Sequence, residues 1–146
     1  MIPDLALSTV MVVLTVTIHF FGLVVLLRIL RARGNRFRAH ESVIGQGGLI
    51  LFVVLGLFII HAVEIWAYAF VYLAIGALAD LETALYFSTV TFASLGYGDV
   101  VLEREWRVFG AIEAANGLIL FAWSTAFLLS VMARLKALEH DWLDPG

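Results

Sequence analysis

The sequence predicts an all-α membrane protein with three transmembrane helices and, between the second and the third, a short re-entrant helix that leads into a glycine-rich loop. Of its 146 residues, 62% are hydrophobic and 14% are charged, which is far too apolar for a soluble domain of this length. Three apolar stretches each reach the roughly 20 residues that a helix needs to cross a bilayer. The interval between the last two is apolar but too short to span.

The first span covers residues 5–27. A cleaved signal peptide is the other interpretation of an apolar segment at this position, but residues 1–4 carry no basic side chain and the apolar run is too long. We therefore expect a retained helix. Together with the basic segment that follows it, this helix is expected to form a first unit over residues 1–43.

The second span covers residues 45–78 and the third covers residues 106–132, with a short helix predicted over residues 81–92 between them. Asp80 is the expected N-cap of the short helix, and Glu82 in its first turn is favoured by the helix dipole. Non-helical backbone at membrane depth is tolerated only where protein or a wet cavity surrounds it, so the loop after this helix is expected to be enclosed. Residues 44–134 form the second unit and residues 135–146 a short tail.

Basic residues set the expected orientation. Seven of the nine lie on one predicted side of the membrane, which should be the cytoplasmic side. The N-terminus and the glycine-rich loop then face outward, and the C-terminus is cytoplasmic. The seven residues are Arg28, Arg31, Arg33, Arg36, Arg38, Arg134 and Lys136.

The glycine-rich loop reads Ser-Leu-Gly-Tyr-Gly at residues 94–98 and is followed by Asp99. Gly96 and Gly98 can adopt φ > 0, which lets consecutive carbonyl groups turn toward one axis. A row of backbone carbonyls, with the Ser94 hydroxyl at its inner end, can replace the water that a cation loses on entering a pore. A chance turn between two helices is the alternative, and the surrounding layout argues against it.

Residues 91–99, TFASLGYGD, resemble the pore signature of potassium channels, whose usual form is T-x-x-T-V-G-Y-G-D. Ser94 stands where the family has threonine and keeps the hydroxyl oxygen. Leu95 stands where the family usually has valine and contributes mainly its carbonyl group. The resemblance covers residues 80–132 and is closest to small bacterial channels with two transmembrane helices and one pore loop, so the first helix is an addition.

The resemblance implies a potassium-selective channel in the cell membrane that conducts passively, with no catalytic residue and no cofactor other than the permeant K⁺. One loop cannot enclose an ion, so the family implies a homotetramer in which K⁺ contacts Ser94, Leu95, Gly96 and Tyr97 of each copy, and Gly98 completes the selectivity filter. The expected partners are potassium ions, membrane lipids and further copies of the chain, not nucleic acid.

The resemblance also implies residues that support the filter. Asp99 would brace the outer mouth against the short helix, and Tyr86 and Trp106 are the candidate donors to it. Many potassium channels keep a carboxylate behind the filter on the pore helix, where this chain has Val90. Glu113 lies about 10 Å into the third span, at 1.5 Å per residue, roughly level with the loop. We predict that Glu113 faces the back of the short helix and accepts a hydrogen bond there.

In the third span, Gly117 aligns with the hinge glycine of the family's inner helix, and close helix packing is an equally good interpretation of a glycine there. From that alignment, Leu118, Phe121 and Thr125 are candidates for the cavity wall. The hydroxyls of Ser124 and Thr125 can also bond back to the preceding turn.

Three further ionisable residues interrupt the apolar spans, at a cost of roughly 2.5 to 3.5 kcal/mol each near a helix centre. His61 and Glu64 share a helix face, and we rank a polar clamp first, a pH-sensitive element second and a metal site third. His19 and His61 together allow a rival function, a haem-binding electron carrier. Depth argues against it, because His19 is nine residues from Arg28 whereas His61 is 21 residues from His40.

A second alternative is a non-conducting scaffold or partner subunit that retains the pore fold. The extra first helix and its arginine-rich segment favour it, since basic segments at the cytoplasmic surface gain about 1 kcal/mol per residue from anionic lipid. Membrane topology alone also accounts for those arginines.

Overall fold

The computed structural model describes residues 2–34 and 43–134, with side chains from residue 4 to 32 and from 44 to 134. Within this part of the chain there are four helices and no strand: α1 (Ile2–Gly34), α2 (Val43–Ala74), α3 (Leu81–Phe92) and α4 (Arg107–Met132). Helices α1, α2 and α4 are long and apolar enough to cross a membrane. The predicted class, an all-α multi-pass membrane protein, is confirmed. The side chains of Arg33, Arg36, Arg38 and Lys136 and the predicted tail lie outside the described residues.

Helix α3 has the predicted bounds, and Asp80 is its N-cap. The Asp80 Oδ1 atom accepts the Thr83 N–H at 2.9 Å, and Oδ2 accepts the Thr83 hydroxyl at 2.8 Å. The first bond satisfies the Thr83 N–H, one of the backbone donors that have no partner within the helix at its start. Both bonds favour the ionised carboxylate, so the pKa of Asp80 lies below its ordinary value, with the Thr83 backbone N–H as the main cause.

The predicted end of α2 at residue 78 is wrong, since the helix stops at Ala74. Gly76 has φ 70°, and the Ala77 N–H donates to the Tyr72 carbonyl at 2.9 Å, which turns the chain out of the helix. The residues beyond the turn are apolar because they pack on the core, not because they are helical. Helix α1, in contrast, runs past its predicted end through Arg28 and Arg31 to Gly34.

Helices α1 and α2 pack through two glycines that each receive a side chain of the other helix. A Cβ atom on Gly22 would lie 2.7 Å from Ile60, and one on Gly56 would lie 2.7 Å from Leu26. Small residues of this kind let two helix backbones approach closely in lipid. Helix α1 is therefore packed into the bundle.

Helix α3 lies between α2 and α4, and its last residue, Phe92, is fully buried. A Cβ atom on Gly117 of α4 would overlap the Phe92 carbonyl oxygen, which is a backbone atom that cannot move aside alone. This close approach accounts for the glycine in α4. Its role as a hinge stays a prediction.

We expect Gly117→Ala to destabilise the protein, because the added methyl group must displace the end of α3 or of α4. Overpacking of this kind costs about 1 to 3 kcal/mol. Gly48→Ala is the matched control: it adds a methyl group to α2 where no atom lies within 4 Å, and alanine gains up to about 1 kcal/mol over glycine in a helix. Thermal unfolding in detergent would measure both. Equal melting temperatures for the two variants would contradict the close approach.

Candidate functional site

The loop that follows α3 alternates the sign of φ along its backbone. Ser94, Gly96 and Gly98 have φ of 57°, 55° and 78°, whereas Leu95 and Tyr97 between them do not have positive φ. Glycine adopts such values without steric cost, which explains two of these three positions. An alternating backbone of this kind can turn successive carbonyl groups toward one side.

The amide groups of the loop point back to the end of α3. The Leu95 and Gly96 N–H groups both donate to the Val90 carbonyl, at 2.9 and 3.4 Å. These peptide bonds are trans and planar, so each carbonyl points opposite to the N–H of the same peptide unit. The Ser94 and Leu95 carbonyls therefore point away from Val90 and from the end of α3.

Ser94 is strained, since a non-glycine residue in the left-handed region costs about 1 to 2 kcal/mol. Its N–H donates to the Thr91 carbonyl at 2.8 Å, and its hydroxyl donates to the Ala114 carbonyl of α4 at 3.3 Å. These bonds hold the residue in place. The hydroxyl oxygen keeps lone pairs for an ion, and the inner ion site at Ser94 stays a prediction.

In a single chain the loop is open to its surroundings. Residues 94–99 are all exposed, including 56% of Leu95 and 68% of Tyr97. A groove of about 370 Å³ is lined by the loop, α3 and α4, with Gly110, Ala111 and Ala114 on the α4 side. One copy of the chain thus presents the loop without enclosing a passage.

Asp99 is bonded to α3 at the outer end of the loop. The Tyr86 hydroxyl donates to Asp99 Oδ2 at 2.6 Å, so the predicted contact between these two residues is present. Trp106, the other candidate donor, is the N-cap residue of α4 and packs against the core. The bond favours the ionised carboxylate: it lowers the pKa of Asp99 and raises the pKa of Tyr86.

Glu113 is fully buried on α4 behind α3. Its Oε1 atom accepts the Ser88 hydroxyl of α3 at 2.6 Å, and its Oε2 atom accepts the Tyr72 hydroxyl of α2 at 2.5 Å. The predicted hydrogen bond from the back of α3 is therefore present, although its effect on the loop is untested. Sequence reasoning missed Ser88 and Tyr72, and a hydroxyl on the buried face of an apolar helix is the signal that would have found them.

A second polar contact that sequence reasoning missed joins α1 to α4. The Asn116 side-chain amide donates to Thr15 Oγ1 of α1 at 2.7 Å and to the Tyr68 hydroxyl oxygen of α2 at 3.3 Å. An asparagine in a membrane span was the available signal, because an amide in that position needs partners within the protein.

The three candidates for the cavity wall differ in their surroundings. Leu118 and Thr125 are exposed in the single chain, whereas Phe121 is half-buried, with its ring 4.3 Å from that of His61. Thr125 donates back to the Phe121 carbonyl at 2.9 Å, as the sequence suggested. Ser124 does not bond back: its hydroxyl lies 2.9 Å from His61 Nε2.

The expectation that His19 and His61 lie at different depths is wrong, since their ring centroids are 5.3 Å apart. The estimate counted residues from Arg28, but α1 continues to Gly34. His19 lies 15 residues before that end and His61 lies 18 residues after the start of α2, so the two reach similar levels. Each imidazole turns Nδ1 to Glu64 and Nε2 toward Ser124, which leaves neither ring a free nitrogen for haem iron.

A family model described as ion channel matches residues 49–134, which is more than half of the chain. The match contains most of α2, all of α3, the loop and α4, and it leaves α1 outside. No curated protein and no solved structure matches the chain.

We expect Tyr86→Phe to raise the pKa of Asp99, because the substitution removes the hydroxyl that stabilises the carboxylate. Since the folded-state pKa of Asp99 is depressed, its contribution to stability is present above the unfolded value of about 3.9 and is lost as pH falls through the lower folded value. Carbon-13 NMR titration of the carboxyl groups would measure the shift. Asp80, which is capped by Thr83, is the internal control, and an unchanged Asp99 titration would contradict the bond.

Proposed function

The chain belongs to the ion channel family, and from that premise we propose that it is a potassium-selective channel whose filter is formed by residues 94–98 of four copies. One observation carries the proposal: the amides of Leu95 and Gly96 are bonded to Val90, and the carbonyls of Ser94 and Leu95 point away from Val90 and the end of α3. The hydrogen bonds that hold the loop end on the Val90 carbonyl and leave the Ser94 and Leu95 carbonyl oxygens available to a cation. Such oxygens can replace a hydration shell.

In the proposed filter, K⁺ contacts the carbonyl oxygens of Ser94, Leu95, Gly96 and Tyr97. The positive φ of Gly96 and Gly98 supports a continuous carbonyl column through the loop. The carboxyl end of α3 adds the partial negative charge of its last turn near the inner end of the column. Ions pass by mutual repulsion between adjacent sites and run down their electrochemical gradient.

Four copies around one axis are proposed because a single copy leaves the filter uncovered. Leu95 and Tyr97 are large side chains that are more than half exposed in the protomer. Neighbouring copies would cover them and complete the passage, with lipid against the outer faces of the bundle. The basic residues favour an arrangement in the cell membrane with the N-terminus outside and the C-terminus in the cytoplasm.

Two carboxyl groups are proposed to support the filter: Asp99 holds its outer mouth to α3, and Glu113 holds α3 to α4. Asp99 is joined to Tyr86 at the outer mouth, and Glu113 is joined to Ser88 behind the helix. Both bonds end on the same short helix, so together they restrain its rotation. No residue is assigned a covalent step, and no cofactor is required for passive conduction.

We expect purified protein in liposomes to pass K⁺ and not Na⁺, with block by Ba²⁺. In Gly96→Ala, the left-handed backbone of residue 96 costs about 1 to 2 kcal/mol more, so the K⁺ flux should fall by about fivefold or more. Gly48→Ala is the control, since its added methyl group meets no atom within 4 Å and lies far from the loop in sequence.

Flux that does not distinguish K⁺ from Na⁺ would contradict the assigned selectivity while leaving a channel. Complete absence of flux under every lipid and pH condition would instead favour the non-conducting scaffold. Equal K⁺ flux through Gly96→Ala and Gly48→Ala would contradict the proposed role of residue 96 in the filter.

A further inference from the structure

Four buried polar side chains form a closed ring that joins α1, α2 and α4 away from the filter. Glu64 contacts both histidines: Oε1 lies 3.0 Å from His19 Nδ1, and Oε2 lies 2.8 Å from His61 Nδ1. Ser124 closes the ring, with Oγ 2.9 Å from His61 Nε2 and 3.5 Å from His19 Nε2. We call these four residues the polar ring, and all four are buried.

With both imidazoles neutral and Glu64 ionised, the polar ring has one hydrogen fewer than its contacts need. Four contacts require four hydrogens. Two neutral imidazoles provide one hydrogen each, the Ser124 hydroxyl provides one, and an ionised Glu64 provides none. One contact then lacks a hydrogen, and the ring carries a charge of −1.

One additional proton completes the ring and removes its net charge. With that proton on His19, for example, both Nδ1–H groups donate to Glu64, His19 Nε2–H donates to Ser124, and the Ser124 hydroxyl donates to His61. The same count holds if the proton lies on Glu64, because moving it around the ring changes neither the total charge nor the number of bonds. The additional proton therefore belongs to the ring as a whole and not to one residue.

Within the described residues, the groups in contact with the polar ring carry no positive charge. Trp123 lies 5.2 Å from the His19 ring, while α3 presents the Phe92 ring at 6.0 Å from His61. The nearest basic residues along the helices are Arg28, nine residues from His19, and Arg134, ten residues from Ser124. Those separations correspond to about 13 to 15 Å along a helix. Tyr68 and Glu113, the nearest other ionisable groups on α2 and α4, cannot carry positive charge. An uncompensated charge at this depth is costly, which favours uptake of the proton.

We propose that the polar ring is a buried proton-binding site, and that the single excess proton which it holds strengthens the contact between α1 and the Ser124 segment of α4. Within the ring, the longest contact, between His19 Nε2 and Ser124 Oγ, is the one that joins these two helices. As pH rises and the proton leaves, this contact is the weakest of the four and is lost first.

A consequence for conduction rests on the proposed function. If α4 is the inner helix of a channel, release of the proton weakens the contact between its Ser124 segment and α1, so the ring would make conduction depend on pH. The proton site itself does not require that the protein conducts.

Nitrogen-15 NMR of the purified full chain with labelled histidine tests the proton site. The chain has four histidines, and their Nδ1 and Nε2 shifts report the hydrogens on each ring. We expect the wild type near pH 7 to hold the fourth hydrogen, either as one doubly protonated imidazole or as a protonated Glu64 detected by carbon-13 NMR. Glu64→Gln removes the charge, so the excess proton should be absent in that variant.

Ser124→Ala opens the ring and removes two of its four contacts, so this variant should not hold the fourth hydrogen near pH 7, where the wild type does. Thr125→Ala is the matched control, because it removes a neighbouring hydroxyl that bonds only back to Phe121. Its titration should equal that of the wild type.

The proposal is overturned if the wild-type ring holds three hydrogens throughout the range from about pH 5 to about pH 9. It is also overturned if Thr125→Ala shifts the titration as much as Ser124→Ala, or if one Zn²⁺ per chain binds and displaces the ring's hydrogens at neutral pH. The wild-type titration decides the matter even if a variant fails to fold. If the protein passes K⁺ but the ring does not take up the excess proton, only the proton site is refuted. If the ring takes up the proton but the protein passes no ions, only the proposed channel function is refuted.

Discussion

A chain that leaves its helix inside a bilayer must find partners for the freed backbone groups within the protein, and the loop after α3 depends on this constraint. Val90 meets it by accepting two amides, those of Leu95 and Gly96. Since each peptide unit is planar, the bonds that satisfy these amides also turn the Ser94 and Leu95 carbonyls away from Val90 and the end of α3. Because the two amides must be bonded inside the protein, the carbonyl oxygens of the same peptide units remain available, and these are oxygens that the proposed filter uses.

The same constraint organises the helices. Three polar residues on the buried face of α4 each bind other helices. Glu113 binds α2 and α3, Asn116 binds α1 and α2, and Ser124 contacts His61 of α2 and His19 of α1. Between helices in lipid there is no hydrophobic driving force, so such contacts and close glycine packing decide which faces meet. They make α1 part of the bundle although it lies outside the family match.

Local rules predicted what depends on local geometry. Asp80 and the bounds of α3 follow from capping and length, and the level of Glu113 follows from a rise of about 1.5 Å per residue. Two features could not be predicted in this way. The end of α2 was missed because apolar composition does not mark where a helix stops, and the pairing of His19 with His61 was missed because basic residues do not mark where α1 ends. The partners Ser88 and Tyr72 depend on how three helices cross, which no single segment specifies.

Phe92 lies where these two parts of the molecule meet. Its carbonyl oxygen occupies the space that a side chain at Gly117 would fill, and its ring lies 6.0 Å from His61 and 5.7 Å from Phe121. The residue is fully buried, and a close-packed interior transmits displacement because it contains little empty volume. A movement of α4 near Ser124 therefore moves the Phe121 ring relative to the Phe92 ring. Since Phe92 directly precedes the loop, the packing that surrounds the polar ring also bounds the position of the loop's inner end.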